Sequence, residues 1–235
     1  MIEKNSLDNA RIFYYSLLSR MFVFTYDLDR FKGLREAFKL IGQNPLNDLC
    51  KISALNVFEN FDEIALSDEY DQIFHAPPSP VRTTLSFYNE GYESAQTTVM
   101  VKKFIGKTKI RKDSNFIENE DNFGFLFTAM SEFITFKTQG DYEYEDIARE
   151  FFIKFLNPFV DEFLNNIYIH KHSILYKDIS NLGLCFFEFE RAYYGVSDEV
   201  GRGEIKVNDG LSRSEKTRRE SNKQKRSKGA RDAIK

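Results

Sequence analysis

The sequence predicts an all-α protein. Apolar residues recur at three- and four-residue steps along most of the chain, and no segment alternates apolar and polar residues between hairpin turns. Glycines or prolines separate the periodic segments. With 235 residues the chain can bury a sizeable core. We therefore expect residues 1–201 to form a compact single-domain bundle of about 8–10 helices.

The first four helices are predicted from apolar stripes bounded by capping or breaking residues. Asn5 or Ser6 can cap the first helix, and Gly42 stops the second. The fourth must end near His75, because the prolines that follow lack an amide hydrogen and fix φ. These helices cover residues 6–24, 28–41, 46–57 and 61–74.

Five more helices follow from the same periodicity. The clearest stripe starts at Asn119 or Asp121 and is stopped by Gly140. Pro158 is well placed in a first turn, and Gly195 marks the end of the last helix. These helices cover residues 94–105, 119–137, 143–155, 158–168 and 173–194.

Composition predicts an aromatic core and a separate basic tail. The 24 Phe and 12 Tyr, with no Trp, must fill most of the interior. Residues 202–235 hold 12 basic against 5 acidic side chains, a charge of +7, so the net charge of −3 leaves −10 for residues 1–201. Because apolar residues are sparse in 202–235, we expect this tail to be disordered. The acidic body favours cationic peptides as partners and disfavours nucleic acid.

Cysteine and histidine placement suggests no metal site. Cys50 and Cys185 stand far apart without ligand spacing, which fits a reducing compartment. His170 and His172 have no nearby acid or cysteine to complete a ligand set. No stretch approaches the ~18 apolar residues of a membrane span, and the first residues lack the apolar run of an export signal. We therefore expect a soluble cytoplasmic protein without a cofactor.

The first motif is an aromatic pair followed by prolines. Tyr70 and Phe74 lie one helical turn apart, and Pro77 and Pro80 stiffen the chain that leaves them. A rigid loop beside an aromatic ledge can hold a peptide groove open at little ordering cost. The alternative is a helix-stop loop with core aromatics.

The second motif is a group of acids at a helix start. Glu118, Glu120 and Asp121 come just before the stripe of 119–137. Carboxylates at this position cap exposed amides and are stabilised by the helix dipole. Acids beyond those that one cap requires can accept guanidinium groups through bidentate hydrogen bonds.

In this order and spacing, the two motifs resemble those of the TorD/DmsD/NarJ family of chaperones for molybdoenzymes. The resemblance covers roughly residues 8–195, with a helical organisation that agrees with it. Asn122 stands where the family usually has a histidine, and an amide cannot change its charge near neutral pH. The positions that match the family's motifs are Tyr70, Phe74, Pro77, Pro80, Ser86, Tyr88, Glu118 and Asp121.

The resemblance implies a binding protein and not an enzyme. Its client would be a molybdopterin oxidoreductase precursor with a twin-arginine signal peptide, held until its cofactor is inserted; formate dehydrogenase is one candidate. Glu118 and Asp121 would take cationic groups, while Tyr70, Phe74 and Tyr88 would contact the apolar part. The resemblance also implies a monomer or homodimer, and the family has been associated with weak GTP binding, although no nucleotide motif is present.

Three other functions compete with this interpretation. A nucleic-acid-associated protein would act through its basic tail and would bind with a steep salt dependence. An enzyme would use Glu118 and Asp121 as an acid–base pair, although nothing in the sequence supplies a nucleophile or a metal. The remaining alternative is a purely structural helical protein.

Overall fold

The computed structural model describes residues 2–25 and 28–197. Within these ranges the chain forms ten α-helices and no strand, so the all-α prediction and the predicted number of helices are confirmed. The predicted tail 202–235 lies outside the described residues. The helices are α1 (Ile2–Phe22), α2 (Leu34–Gln43), α3 (Asp48–Glu59), α4 (Glu63–Phe74), α5 (Leu85–Glu90), α6 (Gln96–Ile105), α7 (Phe123–Thr138), α8 (Glu143–Phe151), α9 (Val160–Tyr168) and α10 (Leu175–Tyr194).

Three elements differ from the predicted pattern. The segment predicted as one helix over 28–41 is a 3₁₀ turn at Leu28–Phe31 followed by α2, because Gly33 adopts a left-handed φ of 78° that a continuous helix cannot contain. Helix α5 was not predicted, since six residues are too few to show a period. The helix predicted over 143–155 is α-helical only as far as Phe151, and the chain continues as a π-helical turn at Phe152–Leu156.

Helix α1 packs along α7, and α10 packs against α3 and α9. The start of α7 lies close to the end of α1 at Gly124, where an added Cβ would lie 2.7 Å from the backbone nitrogen of Val23. A side chain at this position would therefore push the start of α7 away from the end of α1.

Aromatic rings fill the interior, as the composition predicts. Phe123 and Phe163 stack with centroids 4.1 Å apart, and both are fully buried. Phe22 meets the rings of Phe74 and Phe163 edge-on, at centroid distances of 6.2 and 5.2 Å. These contacts connect α1, α4, α7 and α9 in one aromatic cluster.

A buried ion pair joins the first and last helices. The Nε and Nη2 atoms of Arg11 lie 2.5 and 2.9 Å from the two carboxylate oxygens of Glu190, and Tyr15 donates to the same carboxylate at 2.8 Å. Burial opposes the charge of Arg11, but the hydrogen bond and the field of Glu190 prevail and raise the pKa of the guanidinium. The pair fixes α1 against α10.

None of the helices within residues 2–25 and 28–197 combines the length and the apolar character that a bilayer crossing requires.

Candidate functional site

The proline segment and the acidic helix start lie side by side. Thr84 and Asn122 form an isolated antiparallel bridge. On either side of it, the amide of Leu85 donates to the carbonyl of Asp121 and the amide of Phe123 donates to the carbonyl of Thr83, both at 2.9 Å. Two motifs that are distant in sequence are thus joined through their backbones.

Asp121 lies inside the protein and holds three segments together. Its side chain is 0% exposed, and its Oδ2 accepts hydrogen bonds from the amide of Ser86 and the hydroxyl of Thr98, each at 3.0 Å. These bonds connect the start of α7 with α5 and α6. Ser86 is also fully buried. Asp121 therefore contributes to the shape of the site from beneath its surface.

Asn122 is the N-cap of α7, where Asn119 or Asp121 had been expected. Its Oδ1 accepts the amide hydrogen of Gly124 at 2.8 Å, and its Nδ2 donates to Oε2 of Glu118 at 2.6 Å. The side chain is completely buried. One amide thus begins the helix and orients the neighbouring acid.

Glu120 is partly exposed and paired with Lys102 at 3.2 Å, whereas Glu118 is partly exposed without a salt bridge to any described residue. The side chain of Glu118 is half-buried, and burial raises its pKa above the ordinary value, reinforced by Glu93 and opposed by His75, Asn122 and Lys112. Its Oε2 is held by Asn122, while no hydrogen-bond donor to Oε1 is found within the described residues. This carboxylate can accept an external cation.

Tyr70 and Phe74 face the core. They are 1% and 6% exposed, with ring centroids 4.5 Å apart. The hydroxyl of Tyr70 donates to the carbonyl of Phe22 at 3.3 Å, and Phe74 lies against Phe163. The predicted ledge is thus turned inward, because the face of α4 that carries these rings packs on the helices beneath it.

A cleft of about 470 Å³ lies beside α4. In it, Nδ1 of His75 lies 2.8 Å from a carboxylate oxygen of Asp71, and the guanidinium of Arg30 lies over the ring of Tyr70 at 4.5 Å. The cleft is lined by Phe24, Thr25, Arg30, Ser67, Asp71, Gln72, His75 and Ala76.

The proline loop closes on itself and presents its prolines outward. The amide of Val81 donates to the carbonyl of Ile73 at 2.8 Å across the loop. Pro77 is exposed and Pro80 is half-buried. Tyr88, also half-buried, donates to the carbonyl of Arg82 at 2.9 Å and packs its ring on Phe123. Tyr88 therefore braces the loop from one side.

The connection between α9 and α10 lies against the proline loop, which the sequence pattern did not indicate. Burial, His172 and Lys171 lower the pKa of His170, and the backbone of Ser79 in this loop opposes that shift. Ile169 and Ile174, which flank the two histidines, are each 74% exposed. The sequence signal that could have indicated this surface is the presence of two isoleucines in an otherwise polar connection between helices.

A second contact missed from sequence fixes this connection. The buried carboxylate of Glu69 accepts the backbone amides of Ile174, Leu175 and Tyr176 at 2.6, 3.1 and 2.8 Å. Glu69 on α4 thus caps α10 from a distant position in the chain. Its signal in the sequence was an acid on the buried face of a helix.

The described residues offer no obvious metal ligands. No group of three or more His, Cys, Asp or Glu side chains within them is arranged to hold a metal ion. The rings of His170 and His172 lie 5.7 Å apart, and Cys50 and Cys185 are both buried and free.

Comparison with known families assigns the chain. No curated protein matches it. A family model described as the nitrate reductase delta subunit matches residues 42–165, just over half of the chain. The matched region contains both motifs, the proline loop and Glu118. The chain therefore belongs to the nitrate reductase delta subunit family, a family of chaperones for molybdoenzyme maturation.

Proposed function

We propose that the protein binds the twin-arginine signal peptide of a molybdopterin oxidoreductase precursor, or the apo form of that enzyme, and supports cofactor insertion before export. The observation that carries this proposal is the half-buried carboxylate of Glu118, which Asn122 orients where the acidic segment is bridged to the segment after the prolines. Such a chaperone acts in the cytoplasm, before its client is exported, as a monomer or homodimer.

Glu118 is the proposed acceptor for an arginine of the signal peptide. Asn122 holds Oε2, so the carboxylate is oriented before the peptide arrives. A guanidinium that binds a partly desolvated carboxylate gains more than it would at a fully solvated one. Glu93 adds to the negative field that acts on Glu118.

The apolar part of the peptide is proposed to lie across the proline loop and the neighbouring connection. Pro77 is exposed there, and Ile169 and Ile174 are exposed although they are large and apolar. Their burial by an apolar peptide would be favourable by about 25 cal/mol for each Å² removed from water. The stiff proline loop keeps the ordering cost of binding low.

The remaining motif residues support the site from within in this proposal. Asp121 and Ser86 join the two motifs, and Tyr70 and Phe74 anchor α4 to the aromatic core. Tyr88 braces the proline loop through Arg82. These residues are therefore proposed to act on binding through stability and shape, whereas Glu118 acts through direct contact.

The client is proposed by resemblance alone. Formate dehydrogenase is one candidate, and nitrate, S-oxide and N-oxide reductases are the others. Capture from the native cytoplasm followed by peptide identification would distinguish them, since one precursor should be enriched.

Titration of the full chain with fluorescent signal peptides of molybdoenzyme precursors tests the proposal. Peptides with the paired arginines should bind, and the same peptides with glutamines in their place should bind about tenfold more weakly or worse. Glu118→Gln should reproduce this loss, while Glu132→Gln, at an exposed glutamate of α7, should leave affinity unchanged. Failure of every precursor peptide to bind would refute the proposal.

A further inference from the structure

A second concavity lies between α6 and α8. It has a volume of about 290 Å³ and shares no residue with the cleft beside α4. Its floor is apolar and its rim carries three lysines. We name it the lysine cleft; it is lined by Met100, Lys103, Phe104, Lys107, Thr108, Ile147, Glu150 and Lys154.

Two of the rim lysines lack a carboxylate partner among the described residues. Their neighbours Lys102 and Lys109 are paired with Glu120 and Asp141, at 3.2 and 2.5 Å. Lys103 and Lys107 have no carboxylate partner in the part of the chain that the structure describes, and both are exposed. Residues 102–112 contain six basic and no acidic side chains, although residues 1–201 are acidic as a whole.

The third lysine is presented by the π-helical turn at Phe152–Leu156. The turn buries Phe152, Phe155 and Leu156 while Lys154 stays exposed. Lys154 is only loosely paired with Glu150, at 4.0 Å. Wide turns of this kind occur frequently at functional sites.

The floor is fixed by aromatic contacts with the core. Phe104 lies 5.4 Å from Phe151 and 5.5 Å from Phe155, measured between ring centroids. Met100 is 39% exposed and extends the apolar surface toward solvent. The apolar surface between the lysines is therefore held in place by the core.

We propose that the lysine cleft binds an acidic amphipathic segment of a partner protein. Carboxylates of the segment would meet Lys103, Lys107 and Lys154, and an apolar side chain between them would cover Phe104 and Ile147. The charges are complementary, and flexible ammonium groups suit carboxylates spread along a peptide better than a single planar anion. This interaction goes beyond signal-peptide recognition and does not depend on it.

The volume favours a peptide side chain over a small-molecule ligand. Sites for drug-sized ligands typically span roughly 300–1,000 Å³, so the lysine cleft lies at the lower limit. Glu150 on the rim repels an anion at one end, which favours one orientation of an acidic segment.

Fluorescence anisotropy of a labelled peptide, titrated with the full chain, tests this proposal. The peptide has about 12 residues, with Glu at positions i and i+4 and with Leu and Phe between them. The peptide should bind, and the same peptide with Gln for Glu should bind at least about tenfold more weakly. The double variant Lys103→Glu/Lys107→Glu should lose binding to a similar extent. The control Lys51→Glu/Lys177→Glu changes two exposed lysines on α3 and α10 and should bind as the unchanged chain does.

Three outcomes would overturn the proposal. If the Gln peptide bound as tightly as the Glu peptide, charge would not contribute to binding. If the control variant lost as much binding as Lys103→Glu/Lys107→Glu, the effect would come from net charge and not from the lysine cleft. Displacement of the peptide by inorganic pyrophosphate, with the same dependence on Lys103, would make this a small-anion site. Twin-arginine peptides should bind Lys103→Glu/Lys107→Glu normally, so failure here is distinguishable from failure of the proposed function. Circular dichroism checks that the variants are folded.

Discussion

The carboxylate of Asp121 accepts a hydrogen bond from the backbone amide of Ser86 at 3.0 Å, in an environment closed to solvent. This contact joins the segment after the prolines to the start of α7. Glu118, three residues earlier, is half-buried, and its Oε2 accepts a hydrogen bond from Asn122 at 2.6 Å. Two acids of the same motif, Asp121 and Glu118, therefore have different environments, the first fully buried and the second partly exposed.

Replacement of Asp121 should be costly for stability. Asp121→Ala leaves the amide of Ser86 and the hydroxyl of Thr98 buried without an acceptor, which should lower the free energy of unfolding by about 2–4 kcal/mol. Urea denaturation followed by circular dichroism measures this. Glu132→Ala, at an exposed acid of α7, is the control and should change stability little. An unchanged free energy of unfolding in Asp121→Ala would show that these hydrogen bonds do not contribute to stability.

As the pH falls, binding of a twin-arginine peptide should weaken at a higher pH than it would if Glu118 had the pKa of an ordinary glutamate. Burial raises the pKa of Glu118, so its carboxylate takes up a proton while the pH is still above the usual range for Glu. Attraction to the guanidinium is present above this pKa and is lost as the pH falls through it. Calorimetric titration across mildly acidic pH measures the effect.

The variant Glu118→Gln distinguishes loss of peptide binding through protonation of Glu118 from loss of binding through acid unfolding. Because burial disfavours the ionised form of Glu118 in the folded state, Gln should keep or slightly increase stability at neutral pH, where Glu118 is charged. Gln can still accept the hydrogen bond from Asn122. The variant should therefore bind weakly without this acid-dependent loss; a pH profile identical to that of the unchanged chain would contradict the assignment.

The carboxylate of Glu69 should be essential for the attachment of α10. Glu69→Ala removes the acceptor for three backbone amides at a buried helix start, and the free energy of unfolding should fall by about 3–5 kcal/mol. Glu69→Gln keeps one acceptor oxygen and should lose roughly half of that. Hydrogen exchange at Leu175 and Tyr176 should accelerate in both variants. Unchanged exchange would show that the helix start is held by other contacts.

A methyl group at Gly124 should destabilise the protein through backbone displacement. Its Cβ would lie 2.7 Å from the nitrogen of Val23, so Gly124→Ala should cost about 2–3 kcal/mol. Gly183 is the matched control within a helix, since a Cβ there meets only the side chain of Leu164, at 2.8 Å. Because that side chain can adjust, Gly183→Ala should cost less. Thermal denaturation of both variants tests the order.

The all-α class and most helix boundaries could be predicted because they depend on local patterns. The apolar stripe from Phe123 to Ile134 and the glycine that ends α10, at φ 64°, are both recognisable from residues close together in the sequence. Gly33 shows the limit, since its left-handed conformation interrupts a stripe that the period alone extends. The six residues of α5 carry too little repetition to be recognised.

The sequence by itself determined an all-helical chain with an acidic body, an aromatic interior and two motifs of a chaperone family. Only the tertiary structure decided which motif side chains face solvent, because residues of the same chemistry, such as Glu118 and Asp121, differ in the neighbours that folding places around them. The long-range hydrogen bonds of Glu69 with the start of α10 were equally undetermined. Such contacts depend on the packing of distant helices, which no local period encodes.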